Sequence, residues 1–165
     1  MSAYAIILCG GSGTRMGGSE NKTLLRIGGE PGIVRCFRAF QGLVDGIVLV
    51  TRSGEETVFD GTLRQRGLIP LAIVPGGGDR QASALCGLKA LPPDADIALI
   101  HDGARPFVTR DVIRRVIDSV KEHGSGVAAV PARDTLKRAS PDGTVLETLN
   151  RAELWQMQTT QGFFV

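Results

Sequence analysis

Five short apolar runs without polar interruption constrain this 165-residue chain more than any other feature: Ala5–Leu8, Ile47–Val50, Leu71–Val74, Ile97–Ile100 and Val127–Val130. A strand with one wet face alternates apolar and polar residues, so unbroken runs point to strands covered on both faces. Helical periodicity fills the gaps. Ile33, Phe37 and Phe40 repeat at i, i+4, i+7 after Pro31, with Gly42 as a stop. Ala84, Leu85, Leu88 and Leu91 line one face of a second helix; Val112, Ile113, Val116, Ile117 and Val120 line another, between Thr109 as N-cap and Gly124 as stop. The polar stretch Ser53–Gly67 reads as a fourth, more exposed helix. Strand and helix signals in alternation predict an α/β fold: a three-layer α/β/α, doubly wound domain with a mostly parallel sheet. At 42% hydrophobic, residues 1–165 suit a single domain with one core.

The alternation breaks after residue 131. Residues 132–149 have no helical period, and Ser140-Pro141-Asp142-Gly143 marks a turn between two strand-capable arms. The expected product is a protruding β-hairpin. A two-stranded ribbon is marginal in water, so it should pack on a second subunit or on its own domain. Basic and acidic residues number 19 and 17 and are well mixed, which gives no reason to expect nucleic acid or a polybasic membrane patch. Cys9, Cys36 and Cys86 sit in apolar surroundings without C-x-x-C spacing and read as buried, reduced thiols. The start of the chain lacks a basic export signal, and no apolar stretch approaches the ~18 residues of a membrane span. A cytoplasmic protein is expected.

Open α/β sheets bind ligands in loops at the carboxyl ends of their strands. The first such loop, Leu8-Cys9-Gly10-Gly11-Ser12-Gly13-Thr14-Arg15-Met16-Gly17-Gly18, lets successive backbone N–H groups approach an anion. Gly11-x-Gly13 partly mimics a dinucleotide fingerprint, but no amphipathic helix starts at Gly13 and no acidic residue follows Val50. A Walker P-loop also fails, because Asn21 rather than Gly precedes Lys22-Thr23. The second loop, Pro75 to Ser83, puts Arg80 and Ser83 at a helix start. The third, Ile100-His101-Asp102-Gly103-Ala104-Arg105-Pro106, leaves a carboxylate at a strand end, suited to Mg²⁺ or a ribose hydroxyl, or simply to pairing with Arg105.

Together these loops carry a resemblance. Gly11-Ser12-Gly13-Thr14-Arg15-Met16 with Lys22, Gly76-Gly77-Gly78-Asp79-Arg80-Gln81-Ala82-Ser83, His101–Pro106, Asp134-Thr135-Leu136-Lys137 and Trp155–Gln161 occur in order across nearly the whole chain. In that set the chain resembles the 2-C-methyl-D-erythritol 4-phosphate cytidylyltransferases of isoprenoid synthesis, with their nucleotide-diphosphosugar-transferase-like fold. The resemblance implies transfer of CMP from CTP to 2-C-methyl-D-erythritol 4-phosphate, with release of pyrophosphate. It implies catalytic roles for Arg15, Lys22 and Arg151, and nucleotide contacts from Cys9, Gly10, Gly11, Gly13, Gly77, Arg80, Ser83 and Asp102. Asp102 would also meet Mg²⁺ or another divalent cation, and Arg105, Thr135, Arg151 and Thr159 would meet the acceptor. The hairpin would be the arm of a homodimer.

Departures from the family pattern are plain. Asn21 and Thr23 flank the loop lysine where proline and glutamine are usual; Gly103 replaces an alanine, Thr160 a proline, and Leu8 an early proline. Family members also continue into a T-D-D-like segment and an N-x-K strand that these residues do not contain, so a chain lacking the C-terminal part is expected. Two rival functions remain: a ribitol-5-phosphate cytidylyltransferase with a different acceptor pocket, and a non-catalytic CTP-binding or dimerisation domain.

Overall fold

All five apolar runs become strands of a single six-stranded sheet in the computed structural model, which describes residues 1–11 and 21–165. In chain order the strands are β1 (Ala3–Leu8), β2 (Arg26–Ile27), β3 (Glu30–Pro31), β4 (Gly46–Thr51), β5 (Ala72–Pro75), β6 (Ile97–Asp102), β7 (Ser125–Pro131), β8 (Lys137–Ala139), β9 (Val145–Thr148) and β10 (Trp155–Phe164). The helices are α1 (Gly32–Phe40), α2 (Glu56–Arg64), α3 (Arg80–Lys89) and α4 (Arg110–His123). The main sheet runs β5-β4-β1-β6-β10-β7. Its first four strands are mutually parallel, whereas β10 is antiparallel to both neighbours.

Side chains alternate across a strand, and here the two faces meet different partners. Ala5, Ile7, Leu49 and Leu99 pack with Phe37 and Phe40 of α1, Phe59 and Leu63 of α2, and Ile113, Val116 and Val120 of α4. Phe40 and Phe59 are fully buried, each removing enough apolar surface to stabilise the fold by roughly 1.5–3 kcal/mol. The opposite face, with Ile6, Val48, Val50, Ala98 and Ile100, packs against α3 through Ala84 and Leu88. The three layers are therefore present but unequal. A Cβ on Gly87 would lie 2.3 Å from Cγ2 of Ile6, so the missing side chain is what lets α3 settle onto β1.

Several expectations need correcting. Leu85 points outward at 50% exposure, so the buried face of α3 is Ala84, Gly87 and Leu88 rather than the four-residue stripe. β5 and β7 are edge strands, and Val127 and Val130 stay exposed; an apolar run there does not mean cover on both faces. Trp155–Gln161, given no secondary structure above, forms the first part of β10, which shifts register between Met157 and Gln161. Cys86 is only half-buried, whereas Cys9 and Cys36 are buried. Burial pushes the Cys9 thiol up, and pushes Cys36 up to about 12, so both stay protonated. β2 and β3 form a small hairpin over Gly28-Gly29, both at positive φ, which was not expected. The 132–149 hairpin forms, with strands of three and four residues, β8 and β9, around a Ser140–Thr144 turn.

Candidate active site

The sheet reverses direction at β1. From β1 the chain passes to β4 and β5 on one side, and then returns to place β6 on the other. Such a switch point opens a crevice at the carboxyl ends of the two central strands. Leu8 and Asp102 stand in register there, and the Gly103 N–H donates to the Leu8 carbonyl at 2.8 Å.

At the end of β1 the Cys9 N–H donates to the Val50 carbonyl at 2.6 Å, and the Cys9 carbonyl accepts from Asn21 Nδ2 at 2.6 Å. The Cys9 backbone is thus committed to holding the loop in place, and Gly10 and Gly11 follow directly at the carboxyl end of β1. Gly13 and Arg15 lie outside the described residues. Lys22 opens a short 3-10 turn, Lys22–Leu24, capped by Asn21.

In the second loop the Gly76 N–H donates to the Thr51 carbonyl at 2.8 Å. Ser83 Oγ accepts from the Gly77 N–H at 3.1 Å and donates to the Asp79 carbonyl at 2.8 Å. A Cβ on Gly77 would lie 2.4 Å from that of Ala82, so only glycine fits against the first turn of α3. Asp79 caps that turn, accepting from the Ala82 N–H at 2.7 Å.

Asp102, the last residue of β6, pairs twice. Its Oδ1 accepts from Arg80 Nε at 3.1 Å and its Oδ2 from Arg105 Nε at 3.4 Å. β10 extends the cluster. Arg80 Nη2 donates to Gln161 Oε1 at 3.1 Å, Arg105 Nη1 donates to Gln158 Oε1, and the Asp102 N–H donates to Thr159 Oγ1 at 3.2 Å. A cleft of about 800 Å³ adjoins it, with Arg105, Gln158 and Thr159 on its wall and Val112, Val116 and Val127 among its apolar lining.

Behind this cluster lies a residue to which sequence reasoning gave no role. His101 is fully buried, tilted against Phe40 with ring centroids 5.2 Å apart. Nε2 lies 3.1 Å from the Arg105 carbonyl, which only a protonated Nε2 can satisfy, so Nδ1 is left to accept from the hydroxyls of Thr159 and Thr160 at 3.2 and 3.3 Å. Burial holds its pKa below the ordinary histidine value, in keeping with a neutral ring. A histidine in an apolar strand end was the available signal. Gln158 and Gln161 were also passed over, since an amide in a motif does not announce which arginine it will hold.

The structure thus gathers Arg80, Asp102, Arg105 and Thr159 and sets them beside the Gly10–Gly11 and Gly77–Ser83 loops. It leaves Thr135 and Arg151 on the exposed arm, with Arg151 Nη1 donating to the Arg133 carbonyl across its base at 3.0 Å. Among the described residues, no three His, Cys, Asp or Glu side chains converge on a metal position.

Comparison with known proteins covers the whole of this described core. The family model described as 2-C-methyl-D-erythritol 4-phosphate cytidylyltransferase matches residues 3–165. The chain belongs to this family. Membership makes it a nucleotidyltransferase, an enzyme of the cytidylyltransferase class. Among curated relatives, the 2-C-methyl-D-erythritol 4-phosphate cytidylyltransferase of Pelotomaculum thermopropionicum is 41% identical over 163 residues, covering 96% of this chain and 68% of the relative. That of Desulforamulus reducens is 39% identical, covering 96% and 70%. The crystal structure of 4-diphosphocytidyl-2C-methyl-D-erythritol synthase from Anaerococcus prevotii superposes with a TM-score of 0.85 at 28% identity, covering 99% of this chain and 71% of the other. The cytidylyltransferase of Thermus thermophilus gives 0.74 at 27% identity, covering 99% and 71%. The chain therefore spans about seven-tenths of each relative's length.

Proposed function

We propose that the chain transfers CMP from CTP to 2-C-methyl-D-erythritol 4-phosphate, releasing pyrophosphate, in the non-mevalonate route to isoprenoid precursors. The observation that carries this is the joint arrangement at the β1/β6 switch point: two glycine loops and an Arg80–Asp102–Arg105 cluster, in a chain of the cytidylyltransferase family.

The chemistry asks little of acids and bases. A phosphomonoester has a second pKa of about 6 and is largely dianionic at neutral pH, so it attacks the α-phosphorus without help. A P–O bond forms to the acceptor phosphate oxygen as the bond to the β-phosphate breaks, and the electron pair leaves with pyrophosphate. What the protein supplies is positive charge, held in place before the reaction. Arg15 and Lys22 serve the triphosphate and the departing pyrophosphate. Gly10, Gly11 and Gly77 present backbone groups to the cytosine, with Cys9 fixing the strand end beneath them. Ser83 Oγ already donates to Asp79 and accepts from Gly77, which leaves one lone pair for an exocyclic amine. Arg105, Thr135, Arg151 and Thr159 receive the acceptor phosphate, and the 800 Å³ cleft beside Arg105 gives the acceptor room.

Mg²⁺ commonly takes one or two carboxylates and otherwise phosphate oxygens and water, so a site with a single carboxylate suits an ion carried on the triphosphate. Asp102 is the residue we assign to it, and its chemistry would be to offset phosphate charge. The 132–149 hairpin serves as a dimerisation arm on a single nucleotidyltransferase domain, supported by the exposed Val145 and Leu146 along β9. No described helix is long and apolar enough to cross a membrane; a cytoplasmic homodimer acting on small molecules is part of the reading we propose.

Pyrophosphate release with CTP and each of two acceptors tests the reading in the natural full-length protein. Turnover with 2-C-methyl-D-erythritol 4-phosphate and not with ribitol 5-phosphate is expected. The reverse preference would reassign the acceptor, and CTP binding without turnover on either would leave a binding domain.

A further inference from the structure

We infer that Asn21 is a positioning residue for Lys22, acting as a clamp that ties three strand-end segments into one rigid unit. The side chain is 3% exposed and uses its full hydrogen-bonding capacity. Nδ2 donates to the Cys9 carbonyl at 2.6 Å and to Glu55 Oε2 at 2.7 Å. Oδ1 accepts from the Thr23 N–H at 3.1 Å and from Thr23 Oγ1 at 2.8 Å. An amide has two donors and an oxygen with two lone pairs, so all four positions are filled, and only this orientation of the amide fills them.

Those four bonds join the end of β1, the segment after β4 and the turn that begins at Lys22. Glu55 is itself held, by an ion pair to Arg52 at 2.7 Å. A lysine is a flexible point charge whose side chain fixes little by itself. Its usefulness to a developing charge depends on where its Cα is held, and Asn21 fixes that Cα against the Cys9–Gly11 loop. A proline at this position, as the family pattern has it, restricts its own φ but offers no donor, so here hydrogen bonds do what ring geometry would do. Simple capping would need only Oδ1, because a cap bonds the following N–H groups and nothing else. The two donor bonds are what capping leaves unexplained.

The inference rests on the proposed function, and kinetics on the natural full-length protein separate the two. Asn21→Ser keeps a capping oxygen but is too short to reach Cys9 and Glu55. It is expected to lower kcat by about 10²-fold, the scale for a displaced reacting group, with KM for CTP little changed; the melting temperature falls with the two lost buried bonds, but the chain stays folded at the assay temperature. Asn21→Asp sets a carboxylate against the Cys9 carbonyl and Glu55 and is expected to be worse. Adding Glu55→Gln supplies an amide donor to that carboxylate and should recover about tenfold in kcat, as a restored contact does. If Asn21→Ser keeps wild-type kcat while Lys22→Ala loses it, Asn21 is only a cap and the inference is wrong. Failure of the Asn21→Asp/Glu55→Gln pair to recover, when folded, also overturns the clamp. If Lys22→Ala itself keeps kcat, the catalytic assignment of Lys22 falls and the inference with it.

Discussion

Asp102 gives each of its carboxylate oxygens to a different arginine, so one carboxylate orients two guanidiniums and leaves the trio with a surplus positive charge before any phosphate arrives. That surplus positive charge favours doubly charged phosphate ligands over singly charged ones. If Lys22 carries charge on the crowded transition state, as proposed, Lys22→Ala should lower kcat by at least ~10²-fold in a pyrophosphate-release assay. With the base contacts proposed above, backbone groups and Ser83, calorimetry should find CTP binding far more tightly than ATP or GTP. His101 makes a different kind of prediction. Its folded pKa is held below the ordinary value, so below about pH 6.5 the unfolded chain takes up a proton that the folded chain refuses. The stability it contributes is complete above that pH and is lost as the pH falls. Urea unfolding from pH 7.5 to 5 should therefore show a steeper loss for the wild type than for His101→Gln. The sequence made the charged residues legible, since Arg80, Asp102 and Arg105 were all picked out from their motifs. It hid His101, Gln158 and Gln161, because their function lies in partners far along the chain.

The elements were legible where their signals are local. α1 begins one residue after Pro31 and α4 runs between Thr109 and Gly124 at φ 85°, all marked in the sequence. β10 was legible only at its apolar end, Phe163-Phe164, because the cover of the rest comes from residues distant in sequence. A ten-residue strand containing Gln156, Gln158, Thr159, Thr160 and Gln161 lacks the apolar run of its neighbours, yet it pairs with β6 and β7 while α4 lies across it. Gly162 makes that approach possible: a Cβ there would lie 2.8 Å from Leu99 Cδ2 and from Val120 Cγ2. Gly162→Val should cost about 1–3 kcal/mol by overpacking, read as a lowered urea midpoint. Thr159 and Gln161 ride on the same strand, so acceptor KM should rise in that variant as well.

For the whole molecule, the arm decides how many chains build one active site. If the hairpin reaches across a two-fold axis, Arg151 serves the acceptor held mainly by the partner, while Arg15 serves its own nucleotide. Full-length Arg15→Ala and Arg151→Ala proteins should each be nearly inactive. After subunit exchange, activity should return toward roughly one quarter of wild type, because half of a random mixture is heterodimer and one of its two sites is intact. No recovery after demonstrated exchange would place Arg151 in its own subunit's site or outside the chemistry. The hairpin itself was legible from its turn; its orientation was not, since the core does not touch it. The strand order has a further consequence, for the chain as it is being made. β7 pairs within the main sheet only with β10, and the arm is synthesised between them. While the nascent chain ends before Trp155, β5, β4, β1 and β6 can assemble, but β7 has no hydrogen-bonding strand neighbour. The last step of sheet closure is an insertion: β10 threads antiparallel into the gap between β6 and β7, whose far wall is held by α4, as where Ser119 Oγ donates to the Ser125 carbonyl at 2.8 Å. Long-range pairing of this kind is slow, so newly made copies should linger with one sheet edge open, presenting β7 to chaperones or to other nascent chains. A ribosome-stalled chain should show fast-exchanging β7 amides until the β10 segment clears the exit tunnel, and protected ones afterwards.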